Sequence, residues 1–126
     1  MTPEATIFVV DDDEAVRDSL KLLLETYGFE VKDYGTIREF FRAYQPRDQQ
    51  CLVLDDHLPD ERGLDFIESN DGASLGIPVI LVSGGGDRTL KERAVKAGAF
   101  AYLDKPLDNS GLLVTIFKAI GMAPKG

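Results

Sequence analysis

The sequence has a single cysteine and no long apolar segment, and its first residues do not have the pattern expected of a signal peptide. One cysteine cannot form an internal disulfide, so a reducing compartment is expected. Cys51 opens the apolar run Cys51-Leu-Val-Leu, which predicts a small buried side chain. The first residues, Met-Thr-Pro-Glu-Ala, have no basic region followed by an apolar stretch. We therefore expect a cytoplasmic chain with no membrane partner.

Basic residues are also fewer than acidic residues. The chain has 14 Lys and Arg against 22 Asp and Glu, for a net charge of −8. Binding of nucleic acid needs clustered basic side chains, so we expect no direct nucleic-acid binding by this domain. The length of 126 residues is typical of one domain, and we predict a single domain over 1–126, with 119–126 as a tail or linker stub.

Short apolar runs alternate with helical patterns along the whole chain. In the first helix, Val16, Leu20, Leu23 and Tyr27 recur at helical spacing, and Gly28 ends it. Thr36-Ile-Arg-Glu39 is a capping box for the second. The third is weak, over Leu64 to Asn70, the fourth runs from an Asp87 cap to about Ala97, and the last buries Leu113, Ile116, Phe117 and Ile120. The predicted strands are Thr6 to Val10, Glu30 to Tyr34, Cys51 to Asp55, Pro78 to Val82 and Phe100 to Asp104.

Five strand–helix units with apolar strands predict an α/β fold, a parallel sheet covered by helices on both faces. Such sheets bind ligands at the carboxyl ends of their strands. The reactive side chains stand at those ends: Asp11 and Asp12 after strand one, Asp55 at the end of strand three, Ser83 after strand four and Lys105 after strand five.

This set of residues can capture a phosphoryl group. Asp11-Asp12-Asp13 alone could simply cap a helix, but carboxylates that also meet Asp55 repel one another unless a cation joins them. Mg²⁺ prefers such oxygen ligands, and Lys105 is a second cation. A carboxylate can attack phosphorus, and phosphoryl transfer needs mainly positioning and charge neutralisation. The Ser83 hydroxyl can hydrogen-bond a phosphoryl oxygen.

Four motifs resemble those of the response-regulator receiver family, and together they cover nearly the whole chain. They are Val9-Val-Asp-Asp12, Asp55-Asp-His-Leu-Pro-Asp60 with Gly63, Val82-Ser-Gly84 and Asp104-Lys-Pro106. The spacings of 28 residues from Asp55 to Ser83 and 50 to Lys105 are similar to those of nitrogen-fixation-type regulators, which usually carry a C-terminal helix-turn-helix domain. The resemblance implies a flavodoxin-like, doubly wound five-stranded sheet with strand order 2-1-3-4-5.

The resemblance also implies roles for individual residues. Asp55 is the phosphoacceptor for a sensor histidine kinase, and Lys105 binds the phosphoryl group. Mg²⁺, or Mn²⁺, is held by Asp11, Asp12, Asp55 and the backbone carbonyl of His57. Ser83 and Tyr102 are the switch residues, and the Lys105–Pro106 bond is cis.

By the same resemblance, the chain is a signalling switch rather than an enzyme, and it assists its own phosphorylation and dephosphorylation. The surface formed by the fourth helix, the fifth strand and the last helix then controls homodimerisation or an output domain, attached or separate. That surface offers Arg88, Arg93, Lys96 and Asp104.

Two residues depart from the family pattern. Asp56 follows the acceptor, where an apolar residue is more usual, and alternation along the strand predicts that its side chain faces away from the metal. His57 is expected to have a solvated side chain, because Mg²⁺ prefers oxygen to imidazole nitrogen.

Three other interpretations fit parts of the sequence. A haloacid-dehalogenase-type phosphatase would use Asp11 as nucleophile and Asp13 as general acid–base, but it leaves the Asp55 and Lys105 motifs unexplained. A flavin or nucleotide module would need a phosphate-binding loop where the three aspartates stand. A degenerate receiver would act as an adaptor without phosphorylation, although all the signature residues are present.

Overall fold

The computed structural model describes residues 5–85 and 88–122, whose five strands form one parallel sheet. The strand order is β2-β1-β3-β4-β5, as predicted. Consecutive strands run in the same direction because a helical segment returns the chain between them. The strands are β1 (Thr6–Val10), β2 (Glu30–Tyr34), β3 (Gln50–Asp55), β4 (Val79–Ser83) and β5 (Ala101–Asp104).

Side-chain caps fix where the first two helices begin. The Ala15 amide donates to Asp13 Oδ1 at 3.0 Å, and the Glu39 amide donates to Thr36 Oγ1 at 3.1 Å. The predicted cap of the fourth helix, Asp87, lies outside the described residues. The helices are α1 (Glu14–Thr26), α2 (Ile37–Ala43), α3 (Gly63–Glu68), α4 (Asn70–Ala73), α5 (Arg88–Lys96) and α6 (Asn109–Met122).

The predicted third helix is in fact two short helices, so the expectation of one helix over 64–70 was wrong. Ser69 adopts an extended conformation, with φ −78° and ψ 165°, and its hydroxyl accepts a hydrogen bond from the Gly72 amide at 3.1 Å. Gly72 packs so closely on α3 that a Cβ there would stand 2.0 Å from the carbonyl oxygen of Phe66. The serine cap therefore starts a new helix, and the predicted fourth helix is α5.

The sheet separates two apolar clusters. Alternate residues of a strand face opposite sides, so Cys51 and Val53 lie in one cluster while Leu52 and Leu54 lie in the other. The first cluster is covered by α1 and α6, and the second by α2, α3 and α5. Both faces are thus buried, which explains why the central strands are apolar at consecutive positions.

Two residues that were predicted to lie on buried helix faces, Tyr27 and Phe117, are exposed instead. In α1 the fully packed residues are Leu20 and Leu24, while Tyr27 is 54% exposed. In α6, Phe117 is 50% exposed and packs its ring against Phe29 at a centroid distance of 5.2 Å. The helix also continues through 119–122, part of the expected tail, with Ala119 and Ile120 buried. None of the described helices combines the length and apolar character needed to cross a membrane.

Candidate functional site

The register of the sheet brings four chain segments to one edge. Val10 pairs with Leu54, Asp55 with Val82, and Ser83 with Asp104. The residues that follow β1 and β5 therefore stand beside the last residues of β3 and β4. The Lys105 amide donates to the Ser83 carbonyl at 2.8 Å, which extends the β4–β5 pairing to the site itself.

Three of the predicted carboxylates converge at this edge. Asp11, Asp12 and Asp55 each offer an oxygen, and these oxygens all lie within 4.8 Å of one another. Asp11 and Asp55 are buried and Asp12 is exposed. Asp13 has a different task, because it caps α1 while its own amide donates to Asp11 Oδ1 at 2.9 Å. Within the acidic run, Asp13 therefore caps a helix, while Asp11 and Asp12 join Asp55 in a cluster of oxygen donors. Hard oxygen donors of this kind are the ligands of Mg²⁺ and Mn²⁺.

Lys105 neutralises part of this negative charge. Its Nζ lies 3.4 Å from Asp11 Oδ2 and 3.2 Å from Asp55 Oδ1. Partial burial lowers the pKa of Lys105, but attraction to Asp55 and Asp11 outweighs burial, so the pKa is raised overall. The lysine is therefore a stable cation beside both carboxylates. The Lys105–Pro106 bond is cis, as the resemblance implied.

Asp55 contributes a buried carboxylate to the site, with Lys105 as its ion-pair partner. Its Oδ1 is buried and makes no hydrogen bond of good geometry within the described part of the chain. Burial raises the pKa of Asp55, the negative charge of Asp11 adds to the rise, and Lys105 and a backbone hydrogen bond from His57 counteract it. A buried oxygen with no hydrogen bond is suited to a cation or to a bond with phosphorus.

The remaining site residues lie around this centre. Ser83 is buried at the end of β4, where the Gly85 amide donates to its Oγ at 3.4 Å. Tyr102 lies in β5, packs on the second cluster and buries its hydroxyl oxygen. The His57 side chain is exposed, in agreement with the expectation of solvation.

Asp56 turns away from the cluster, as alternation along β3 predicted. Its side chain is fully buried, and its Oδ1 accepts a hydrogen bond from the Leu64 amide at 3.0 Å. Oδ2 forms an ion pair with Arg62, whose Nε donates to it at 3.1 Å. The two neighbouring aspartates therefore occupy opposite faces of the sheet.

Sequence reasoning missed two arginines that contact residues in or next to the site. Arg17 donates from Nη1 to the Asp11 carbonyl at 2.8 Å and from Nε to Asp33 at 2.9 Å, so it ties the acidic loop to the end of β2. Arg62 was not recognised as the partner of Asp56. The signal for Arg62 was available, because a carboxylate in a buried strand needs a nearby cation, whereas nothing in the sequence singles out Arg17.

Comparison with known protein families identifies this architecture. The sequence model of one protein family, the response regulator receiver domain, matches residues 7–117 of this chain. Nodulation protein W of Bradyrhizobium diazoefficiens is 38% identical over 116 residues, which is 92% of this chain and 51% of that protein. The chain spans about half the length of the curated relatives that it matches.

Solved structures of receiver domains also superpose on this chain. The crystal structure of FixJ-N superposes with a TM-score of 0.86 at 29% identity, covering 99% of this chain and 100% of that one. The solution structure of the beryllofluoride-activated NtrC4 receiver domain dimer gives a TM-score of 0.79 at 32% identity, covering 92% and 96%. With its family motifs at the carboxyl edge of a 2-1-3-4-5 sheet, the chain belongs to the receiver-domain family of response regulators, the signalling domains of phosphorylation-dependent two-component systems.

Proposed function

We propose that Asp55 accepts the phosphoryl group and that this changes how the domain binds its partners. The observation that carries the proposal is the state of Asp55 Oδ1, which is buried, lacks a hydrogen bond among the described residues and lies 3.2 Å from Lys105 Nζ. The other three candidates are engaged differently. Asp11 is held by the Asp13 amide, Asp12 is exposed, and Asp56 lies on the opposite face.

The phosphodonor in this proposal is the phosphohistidine of a sensor histidine kinase. An Asp55 oxygen forms a bond to phosphorus while the phosphorus–nitrogen bond breaks, and the imidazole leaves with the electron pair and takes up a proton. Lys105 offsets the negative charge of the transferred group. Attack of water on the aspartyl phosphate returns Asp55 and inorganic phosphate, which is the self-assisted dephosphorylation that we assign to the domain.

Asp11, Asp12, Asp55 and the backbone carbonyl of His57 are the proposed ligands of Mg²⁺ or Mn²⁺. The all-oxygen set supports this assignment, as does the buried Asp55 Oδ1, which makes no hydrogen bond of good geometry among the described residues. A bound divalent ion would supply positive charge that offsets repulsion among the carboxylates and the phosphoryl oxygens.

An apolar groove beside the site supports the proposed docking of a kinase. It lies between α1 and the loop after β5, has a volume of about 370 Å³, and is lined by Ala15, Val16, Ser19, Leu20, Lys105, Pro106 and Leu107. A phosphodonor must approach Asp55 from outside the sheet edge, and this groove borders that approach through Lys105. The cytoplasm is the compartment proposed for the encounter.

The proposed switch acts through Ser83 and Tyr102. A phosphoryl group on Asp55 draws the Ser83 hydroxyl toward it, and the inward orientation of Tyr102 is then favoured. Because the Tyr102 hydroxyl is already buried, the expected change is a shift in population. The affected surface comprises α5, β5 and α6, and we propose that it controls homodimerisation or an output domain. The activated NtrC4 receiver domain is a dimer, which supports the first option for this chain.

Phosphorylation by acetyl phosphate with Mg²⁺ tests the acceptor. We expect one base-labile phosphoryl group per chain, which Asp55→Asn abolishes, and borohydride trapping with peptide mapping should locate it at Asp55. Asp56→Asn should still be labelled at Asp55. A label on Asp11 would instead support the phosphatase interpretation, and a chain that takes no label would support the adaptor interpretation.

A further inference from the structure

The loop from Asp56 to Gly63, between β3 and α3, is closed at its neck by two layers of contacts. In the backbone, the Gly63 amide donates to the Asp56 carbonyl at 2.9 Å, and His57 and Arg62 form an antiparallel bridge. In the side chains, the Asp56 carboxylate receives the Leu64 amide and the Arg62 guanidinium. The Asp56 carboxylate, at the start of the loop, therefore holds the residues at the end of the loop.

This carboxylate is unusual because it is fully buried, while its arginine partner is 54% exposed. Arg62 bonds to one carboxylate oxygen through Nε and Nη2, and the Leu64 amide bonds to the other. A buried charge is tolerated only when its partners hold it, so the exposed guanidinium is constrained to one geometry. An exposed arginine whose only role was to keep the protein soluble would not need to be held in one conformation.

The closed loop reaches the acceptor at two points. His57, bridged to Arg62, makes a backbone hydrogen bond to Asp55. A Cβ on Gly63 would stand 2.7 Å from the Asp55 carbonyl oxygen, so the start of α3 rests directly on the acceptor backbone. A shift of the loop therefore moves Asp55 or the residue next to it.

We propose that Asp56 and Arg62 form a positioning pair that fixes the His57 backbone and the Asp55 carboxylate for divalent-ion binding. This inference rests on the proposed function, because it concerns the metal ligands named there. Neither residue touches the metal in this assignment. Both act through His57, as outer partners do when they orient the ligands of an ion.

The test compares Arg62→Gln with Arg93→Gln. Arg93 makes a comparable two-nitrogen ion pair with Glu68, at 2.7 and 3.3 Å, but it joins α5 to α3 away from the loop. We expect Arg62→Gln to raise the Mg²⁺ dissociation constant about tenfold in an amide NMR titration. Hydrogen exchange at the Gly63 and Leu64 amides should accelerate in the metal-free protein. Arg93→Gln should change neither quantity.

Two further variants separate positioning from stability. Arg62→Lys keeps the charge but loses the two-nitrogen contact, so it should restore part of the Mg²⁺ affinity. The double variant Asp56→Asn with Arg62→Gln removes the buried charge, so it should fold even if Arg62→Gln alone does not, and it should still bind Mg²⁺ weakly. A wild-type dissociation constant in the double variant would overturn the inference. The proposed function fails separately, if Asp55→Asn binds Mg²⁺ as tightly as the wild type.

Discussion

Lys105 Nζ lies 3.2 Å from Asp55 Oδ1, across a separation of 50 residues in the sequence. The contact exists because β3 and β5 flank β4 in one parallel sheet and end at the same level. It compensates only part of the charge at the site, because Asp11 and Asp12 lie within the same cluster. The metal-free site is therefore destabilising, and several measurable effects follow from that.

Asp55→Asn should raise the free energy of unfolding of the metal-free protein at pH 7 by about 1 kcal/mol. The pKa of Asp55 is raised in the folded state, mainly by burial, so the folded chain binds a proton there more tightly than the unfolded chain. Stability consequently falls as the pH rises from the ordinary value near 3.8 through the raised pKa. The penalty is complete once the pH exceeds the raised pKa of Asp55, and it is absent below the ordinary value.

Urea unfolding of both proteins between pH 3 and pH 8 would check this sign. The advantage of Asp55→Asn should disappear at the acid end of the series. Saturating Mg²⁺ should stabilise the wild type more than the variant, since only the wild type keeps all three carboxylates. An asparagine variant that is less stable than the wild type at pH 7 would contradict the prediction.

Gly63→Ala should destabilise the fold by about 2 kcal/mol, because the added methyl group would overlap the Asp55 carbonyl and approach Leu81 Cδ1 to 2.9 Å. Thermal unfolding measures the effect. Gly121→Ala is the matched control, since it lies exposed in α6 with nothing within 4 Å of the new Cβ. The control should be neutral or slightly stabilising. Equal losses in both variants would argue against the close packing of α3 on β3.

Cys51 should not react with thiol reagents while the protein is folded. Its side chain is completely buried in β3, and burial raises its pKa to about 12, so almost no thiolate exists at pH 8. Titration with an aromatic disulfide reagent should give no fast reaction in buffer and one equivalent per chain in denaturing urea. Rapid labelling of the native protein would mean that β3 opens readily.

Beryllofluoride, a mimic of the phosphoryl group, should change the association of the wild-type chain. The affected surface includes α5 and α6, where Val95 and Val114 are 59% and 53% exposed. Sedimentation with Mg²⁺, with and without the mimic, tests the change, and Asp55→Asn serves as the unresponsive control. The switch model fails if wild-type association and the NMR signals of Tyr102 both remain unchanged.

The convergence of the site could be predicted from local sequence patterns, whereas the strand order was implied by the family resemblance. Each apolar strand ends at a polar residue, and parallel strands end at one edge. The break at Ser69 was missed although serine is a residue type that commonly caps helices, and the Ser69 cap is what begins the second short helix. The exposure of Phe117 was missed because helical spacing alone does not indicate which residues meet the sheet.

The division of the core into two clusters has a consequence for the proposed switch. Asp55 shares a strand face with Cys51 and Val53, whereas α5 packs on the opposite face through Leu90 and Ala94. The hydrogen-bonded sheet separates Asp55 from α5, so in the proposed switch a change at Asp55 would have to reach α5 around the carboxyl edge of the sheet, past Ser83 at the end of β4. Cavity-forming substitutions within either cluster should therefore lower the stability of the fold without abolishing the proposed switch. Substitutions that restrict movement at the carboxyl edge of the sheet should abolish the switch in a protein of unchanged stability.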